Sequence, residues 1–175
     1  GRNVDRYATQ WAAAEDEKWM IATFPSLDLS FQSVPAPLQR HLEKYQAALE
    51  PMPRDWAGSN WEGRKAGAYQ WLETQDPIAY HADFWKPKVI YPNMTKYLPF
   101  YLDTTEHFFI NDKAFILTSE AESLAYLTAA LNSTVFRCCF MDNFPNLGED
   151  RRELRKIFMD KIPIKKPTTQ QAALF

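Results

Sequence analysis

The chain has 175 residues, 46% of them apolar and 15% aromatic, enough to build the core of one domain of ordinary size. Its formal charge is −2, so composition alone gives no argument for a polyanionic partner. No apolar run reaches the length of a membrane span and no charged-then-apolar leader opens the chain, so a cytoplasmic location is expected.

Gly1, rather than Met, opens the chain, as expected of a domain excised from a longer protein. Trp19-Met-Ile-Ala-Thr-Phe24 is aromatic and branched and precedes Pro25, which predicts a strand ending in a turn. Pro35 to Glu50 predicts a helix, with proline at its start, Leu38, Leu42, Tyr45 and Leu49 on one stripe, and Pro51 closing it. Periodicity then disappears. The segment MPRDWAGSNWEGRKAGA, residues 52–68, holds three of the five glycines, two tryptophans and three basic side chains.

Short helices are expected near Tyr69 to Leu72 and Pro77 to Phe84, and strands at Lys88 to Tyr91, Phe100 to Asp103, His107 to Asn111 and Ala114 to Thr118. Asn111-Asp112 suits the turn between the last two. Ser119 and Glu122 form a capping-box pattern, which predicts a helix with Leu124, Leu127, Leu131 and Val135 facing a core. Asn132-Ser-Thr134 interrupts that stripe with side chains that compete for backbone hydrogen bonds, so a bend is expected there. A basic helix near Arg151 to Met159 and an edge strand at Ile162-Pro-Ile164 follow, with residues 168–175 as a flexible tail. Helices and strands do not alternate regularly. The expected class is therefore α+β, a mixed and mainly antiparallel sheet packed with helices in a single domain over residues 1–167.

Charge is unevenly distributed. Residues 84–96 carry Lys86, Lys88 and Lys96 and no acid, and residues 151–166 set seven basic side chains against Glu153 and Asp160. A near-neutral protein can thus present a basic face to a polyanion.

Catalytic chemistry is not encoded in any pattern found. His41, His81 and His107 lack metal-ligand spacing, and Cys138-Cys139 are adjacent in a predicted helix, where they are expected to be buried, unpaired apolar residues. No glycine-rich phosphate loop occurs. Asn143-Phe-Pro-Asn146 lacks the proline pair of the Asn-Pro-Pro-aromatic motif of amino methyltransferases, and Asp103 and Glu106 lack the lysine that a nuclease carboxylate set requires on the following strand. What remains is the loop from Arg54 to Lys65, whose arginine, asparagine and lysine side chains are those that read base edges, with glycines that permit close approach. The competing expectation is a protein-interaction module in which the same aromatics form a docking patch. A stand-alone enzyme would need an assembled polar pocket, which the sequence does not offer.

Several blocks stand in a consistent order: Gly1-Arg-Asn-Val-Asp-Arg-Tyr7, Tyr69-Gln-Trp-Leu72, Phe84-Trp-Lys-Pro-Lys-Val-Ile-Tyr-Pro92, LTAALNSTVF from Leu127, and Ile162-Pro-Ile164. Together they resemble the TaqI-like C-terminal specificity domain of adenine-specific DNA methyltransferases and their fused restriction enzymes, over residues 1–167. The resemblance implies a target-recognition module that docks its parent on double-stranded DNA, while an upstream domain of the same polypeptide methylates adenine with S-adenosylmethionine. No cofactor is then expected in this chain, and no catalytic residue. It also implies that the Leu-Asn-Ser turn is architectural, with Asn132 hydrogen-bonding a neighbouring backbone. The segment from Arg54 to Lys65 has no family motif to match. Arg54, Asn60, Trp61, Arg64 and Lys65 are therefore expected DNA contacts from residue type alone, assisted by Asn93 and Lys96. Lys86 and Lys88 match family lysines, either as phosphate contacts or as local packing.

Overall fold

The computed structural model describes residues 20–174. The chain divides into two compact units, one formed by Met20–His81 and the other including Ala82–Phe175. The expected motif at residues 1–7 lies outside the described residues.

In the first unit, the expected strand is absent over residues 20–24, where Met20 and Ile21 are exposed. Pro25 instead opens a 3-10 turn, Pro25–Leu27, in which the Leu27 N–H donates to the Phe24 carbonyl at 2.9 Å. A second such turn, Phe31–Ser33, leads into α1 (Ala36–Glu43) and α2 (Gln46–Leu49). These replace the one expected helix. Tyr45, at φ −111° and ψ 2°, breaks the helical register between them, which leaves it 51% exposed while Leu38, Leu42 and Leu49 are half-buried. Residues 69–72 form a turn rather than a helix. Their carbonyls are drawn into Arg64, and the Glu73 carboxylate takes the Gln70 N–H at 2.6 Å. Phe24, Val34, Tyr69 and Leu72 are the buried apolar residues of this unit.

The second unit begins within a 3-10 turn, His81–Trp85, which stands where a helix is expected from residue 77. Strand β1 (Lys88–Pro92) is central in an antiparallel sheet, flanked by β3 (Tyr101–Asp103) and β4 (Ala114–Leu117). Lys88 stands opposite Asp103, and Val89 lies between Leu102 and Leu117. Because side chains alternate across a strand, Val89 and Tyr91 share one face with Leu102, Phe115 and Leu117, and this face meets the apolar core. Burial pushes the Tyr91 phenol up to about 12, with the Asp160 carboxylate adding to the effect. A two-stranded antiparallel pair, β2 (Met94–Thr95) with β5 (Arg152–Glu153), extends the β structure. The α+β class with mainly antiparallel sheets is as expected from sequence.

Three further expected elements are absent or shortened. His107 to Asn111 is not a strand, because the Asp103 carboxylate captures the N–H groups of Glu106, His107 and Phe108 that a ladder would use, and His107 has φ 53°. The basic helix is confined to α5 (Lys156–Met159), since Arg152 and Glu153 pair with β2 and the Leu154 N–H donates to the Asn93 carbonyl at 2.8 Å. Ile162-Pro-Ile164 is not a strand, the Ile162 N–H being turned back to the Met159 carbonyl. Beyond it, Thr168 and Gln171 form a capping box on the single turn α6 (Thr169–Ala172).

The polar interruption splits the expected long helix into α3 (Leu124–Leu131) and α4 (Thr134–Asn143), bent by 63°. The Ser119 hydroxyl does accept from the Glu122 N–H, yet the N-cap of α3 is Ser123. Asn132 ends α3 and turns its amide inward, donating to the Phe100 carbonyl at 2.7 Å and accepting from the Phe100 N–H at 3.2 Å. Ser133 then caps α4 by accepting from the Phe136 N–H. The break resets the helical phase. Phe136, Phe140 and Phe144 face the core instead of Val135, which is 81% exposed, and Cys138 falls on the exposed side. Both cysteines are free, but Cys138 is exposed and Cys139 half-buried, against the expectation of burial. Among the described residues, no single helix is long and apolar enough to cross a membrane.

Candidate nucleic-acid interface

Residues 51–64 form a loop closed at its base. Pro51 bridges Arg64 in parallel, the Met52 N–H donates to the Arg64 carbonyl, and the Arg64 N–H donates to the Glu50 carbonyl, both at 2.9 Å. The Trp61 indole N–H donates to the same Glu50 carbonyl at 3.1 Å, and its ring meets Trp56 edge-on at 5.1 Å. Gly63 is required by this closeness, since a Cβ there would lie 2.1 Å from the Glu50 carbonyl oxygen.

Arg64 organises the loop. Its Nε donates to the Leu49 carbonyl at 2.7 Å, Nη1 to Glu73 at 2.7 Å, and Nη2 to Gln70 at 3.1 Å and Trp71 at 3.0 Å. The guanidinium also lies over the Tyr69 ring at 4.4 Å, and the Tyr69 hydroxyl donates to the Lys65 carbonyl. The planar fork that could read a guanine is thus spent on the chain's own backbone. Trp61 is likewise engaged internally. Arg54, Asn60 and Lys65 are exposed, and none has a side-chain hydrogen bond or ion pair among the described residues.

Of the two roles open to Lys88, the geometry gives local packing. Its ammonium is fully buried, donating to the Asp103 carboxylate and to the Phe84 carbonyl, each at 2.7 Å. Asp103, which sequence inspection sets aside, proves to be the hub: it accepts from Lys88 and from three consecutive backbone N–H groups. Lys86 is at the surface beside Asp83 at 2.7 Å, whose hydrogen bond and charge raise the lysine pKa. Asn93 is half-buried, with its side chain 3.4 Å from the Asp112 carbonyl and its backbone tied to Lys113 and Leu154.

The basic run at residues 151–166 is less available than its charge count suggests. Arg152 is buried against the Met141 carbonyl, while Arg151, Arg155, Lys156 and Lys166 lie near Glu149, Glu153, Asp160 and Glu122 respectively. A different pair of cations is brought together. Lys96 and Arg137 line a cleft of about 120 Å³ with Tyr97, Ser133 and Thr134. Lys96 is 4.0 Å from Asp150, an exposed and weak contact, and Arg137 has no ion pair among the described residues. Sequence inspection misses Arg137 because only the phase break at Asn132-Ser133 places it beside Lys96.

Among the described residues, no group of three or more His, Cys, Asp or Glu side chains could hold a metal ion. Residues 20–81 thus present the exposed hydrogen-bonding side chains of Arg54, Asn60 and Lys65, and residues 82–174, taken by themselves, present a small cationic cleft. A family model described as the TaqI-like C-terminal specificity domain matches residues 1–164. No curated protein and no solved structure gives a match. With the family model spanning almost the whole sequence, the chain belongs to the TaqI-like C-terminal specificity domain family.

Proposed function

We propose that this chain is the module with which a site-specific DNA methyltransferase recognises its duplex target. The observation that carries the proposal is the family match over residues 1–164. In this reading the exposed Arg54, Asn60 and Lys65 enter the major groove from a loop whose frame is Arg64. Lys96 and Arg137 hold a backbone phosphate, and Lys86, before β1, and Asn93, after it, add further contacts. An upstream domain of the same cytoplasmic polypeptide supplies the S-adenosylmethionine site and adenine methylation, either alone or fused to an endonuclease. The chain itself then contributes orientation and specificity but no catalytic group.

The division of labour follows from chemistry. A bidentate arginine–guanine or asparagine–adenine pair discriminates between bases by about 1–3 kcal/mol, whereas a cation on phosphate acts almost equally on all sequences. In the parent enzyme, Arg54→Ala or Asn60→Ala is expected to relax the methylated sequence at one base position of a randomised DNA library. Arg137→Ala is expected to weaken all sites alike and to reduce the salt slope of binding by about one. An unchanged recognition sequence after replacement of residues 54–65 would remove base reading from this loop. Salt-independent association with duplex DNA would favour an interaction module instead.

A further inference from the structure

A second recessed surface lies on the first unit, beside the loop frame. It is a cleft of about 680 Å³ with Ala47, Trp56 and Trp61 among its walls and Glu43, Glu50 and Glu62 around them. The volume falls in the range of sites that hold a peptide side chain or a small molecule. The aromatic wall is built rather than incidental. Trp61 is fixed by its indole hydrogen bond to the Glu50 carbonyl and by its edge contact with Trp56; Gly63 leaves the space that the hydrogen bond needs, and Gly58 the space that the Trp56 ring fills. Trp56 nevertheless remains 44% exposed.

The charge of the cleft opposes a phosphate backbone. None of Glu43, Glu50 and Glu62 has an ion pair among the described residues, so three carboxylates remain uncompensated around two indoles. Indole faces attract cations, and a guanidinium can stack on such a face while its edge donates to a carboxylate. We infer that this cleft binds an arginine side chain presented by a basic segment of a protein partner. Arginine fits the combination better than lysine does, because its plane matches the ring and its fork matches the carboxylate.

This inference does not depend on DNA recognition by the exposed loop, and the test keeps the two apart. The full chain is titrated with a capped tri-arginine peptide, with tri-lysine in parallel, while tryptophan fluorescence and backbone amide shifts are followed. Saturable changes centred on residues 43–63, at least threefold tighter for tri-arginine, are expected. Glu43→Gln/Glu62→Gln should weaken that binding about tenfold or more, while the amide shifts of the free protein change only at and beside the two replaced residues. Both carboxylates are exposed, so their replacement should leave folding intact. Gly63→Ala, which crowds the Trp61 wall, should reduce binding as well. Peptide binding unchanged in the double glutamine variant would overturn the inference. Protection of Trp56 by a duplex oligonucleotide, with no response to peptide, would also overturn it and assign the cleft to base amino groups.

Discussion

In residues 82–174 the fixed points are chiefly apolar: Val89, Tyr91, Phe100, Leu131, Phe136, Phe140 and Leu154 belong to one buried cluster against a three-stranded sheet. In residues 20–81 the buried apolar set is only Phe24, Val34, Tyr69 and Leu72, and much of the ordering falls to the Arg64 guanidinium on four backbone carbonyls. The two strategies differ in what they demand of their neighbours. An apolar core constrains the size and shape of every side chain in it. A side chain bonded to carbonyls constrains only the path of the backbone, since every residue supplies that acceptor. A loop framed in this way can exchange its outward side chains without exchanging its frame, which suits a surface whose task is to select a partner.

The second unit nevertheless contains one polar device, and breaking it should give the largest effect. Lys88 and Asp103 face each other across β1 and β3 with no solvent exposure. Removing one partner of a buried pair leaves an uncompensated charge, at a cost of about 3–5 kcal/mol. Lys88→Met should destabilise residues 82–174 by that order in urea denaturation. Lys88→Met/Asp103→Leu should recover only part of it, because the N–H groups of Glu106, His107 and Phe108 then lose their acceptor. Full recovery would mean that the ion pair alone, and not its cage of amides, fixes this corner.

A smaller and more local effect is expected from Arg64. Loss of its charge-assisted bonds should cost about 2–3 kcal/mol, read as faster amide exchange across residues 49–73 with exchange in β1 and β3 unchanged. Arg64→Lys should not rescue protection, because one ammonium cannot reach carbonyls arranged around a planar fork. Uniform loss of protection over both units would mean that Arg64 does not order residues 20–81 separately.

These two residues also mark where sequence legibility ends. The central strand, the turn at Asn111-Asp112 and the architectural role of Asn132 follow from local pattern and family resemblance, and the structure contains them. Arg64 looks like a surface cation, and nothing local decides between phosphate contact and packing for Lys88, because basic side chains are rarely buried. Their partners, Asp103 and the carbonyls of Leu49, Gln70, Trp71 and Glu73, are distant or carry no side-chain signal. The missing strand at His107 has the same origin. Its composition favours a strand, but a carboxylate four residues earlier takes the amides first.

The smallest effect should come from Val135, and it sharpens the account of the helix break. A continuous helix would align Leu124, Leu127, Leu131 and Val135 on one buried stripe. The cap at Ser133 restarts the phase, so Leu131 is 1% exposed while Val135 is 81% exposed. Leu131→Ala should therefore cost about 2–5 kcal/mol through lost burial and a residual cavity. Val135→Lys should stay within about 0.5 kcal/mol of the parent, since it changes an exposed helical position and lysine forms helices at least as well as valine. Urea denaturation of both variants decides the matter. A cost of several kcal/mol for Val135→Lys would mean that this face of α4 is covered in solution, whereas near-neutrality beside a severe Leu131→Ala confirms that two capped helices, and not one bent helix, present the aromatic stripe to the core.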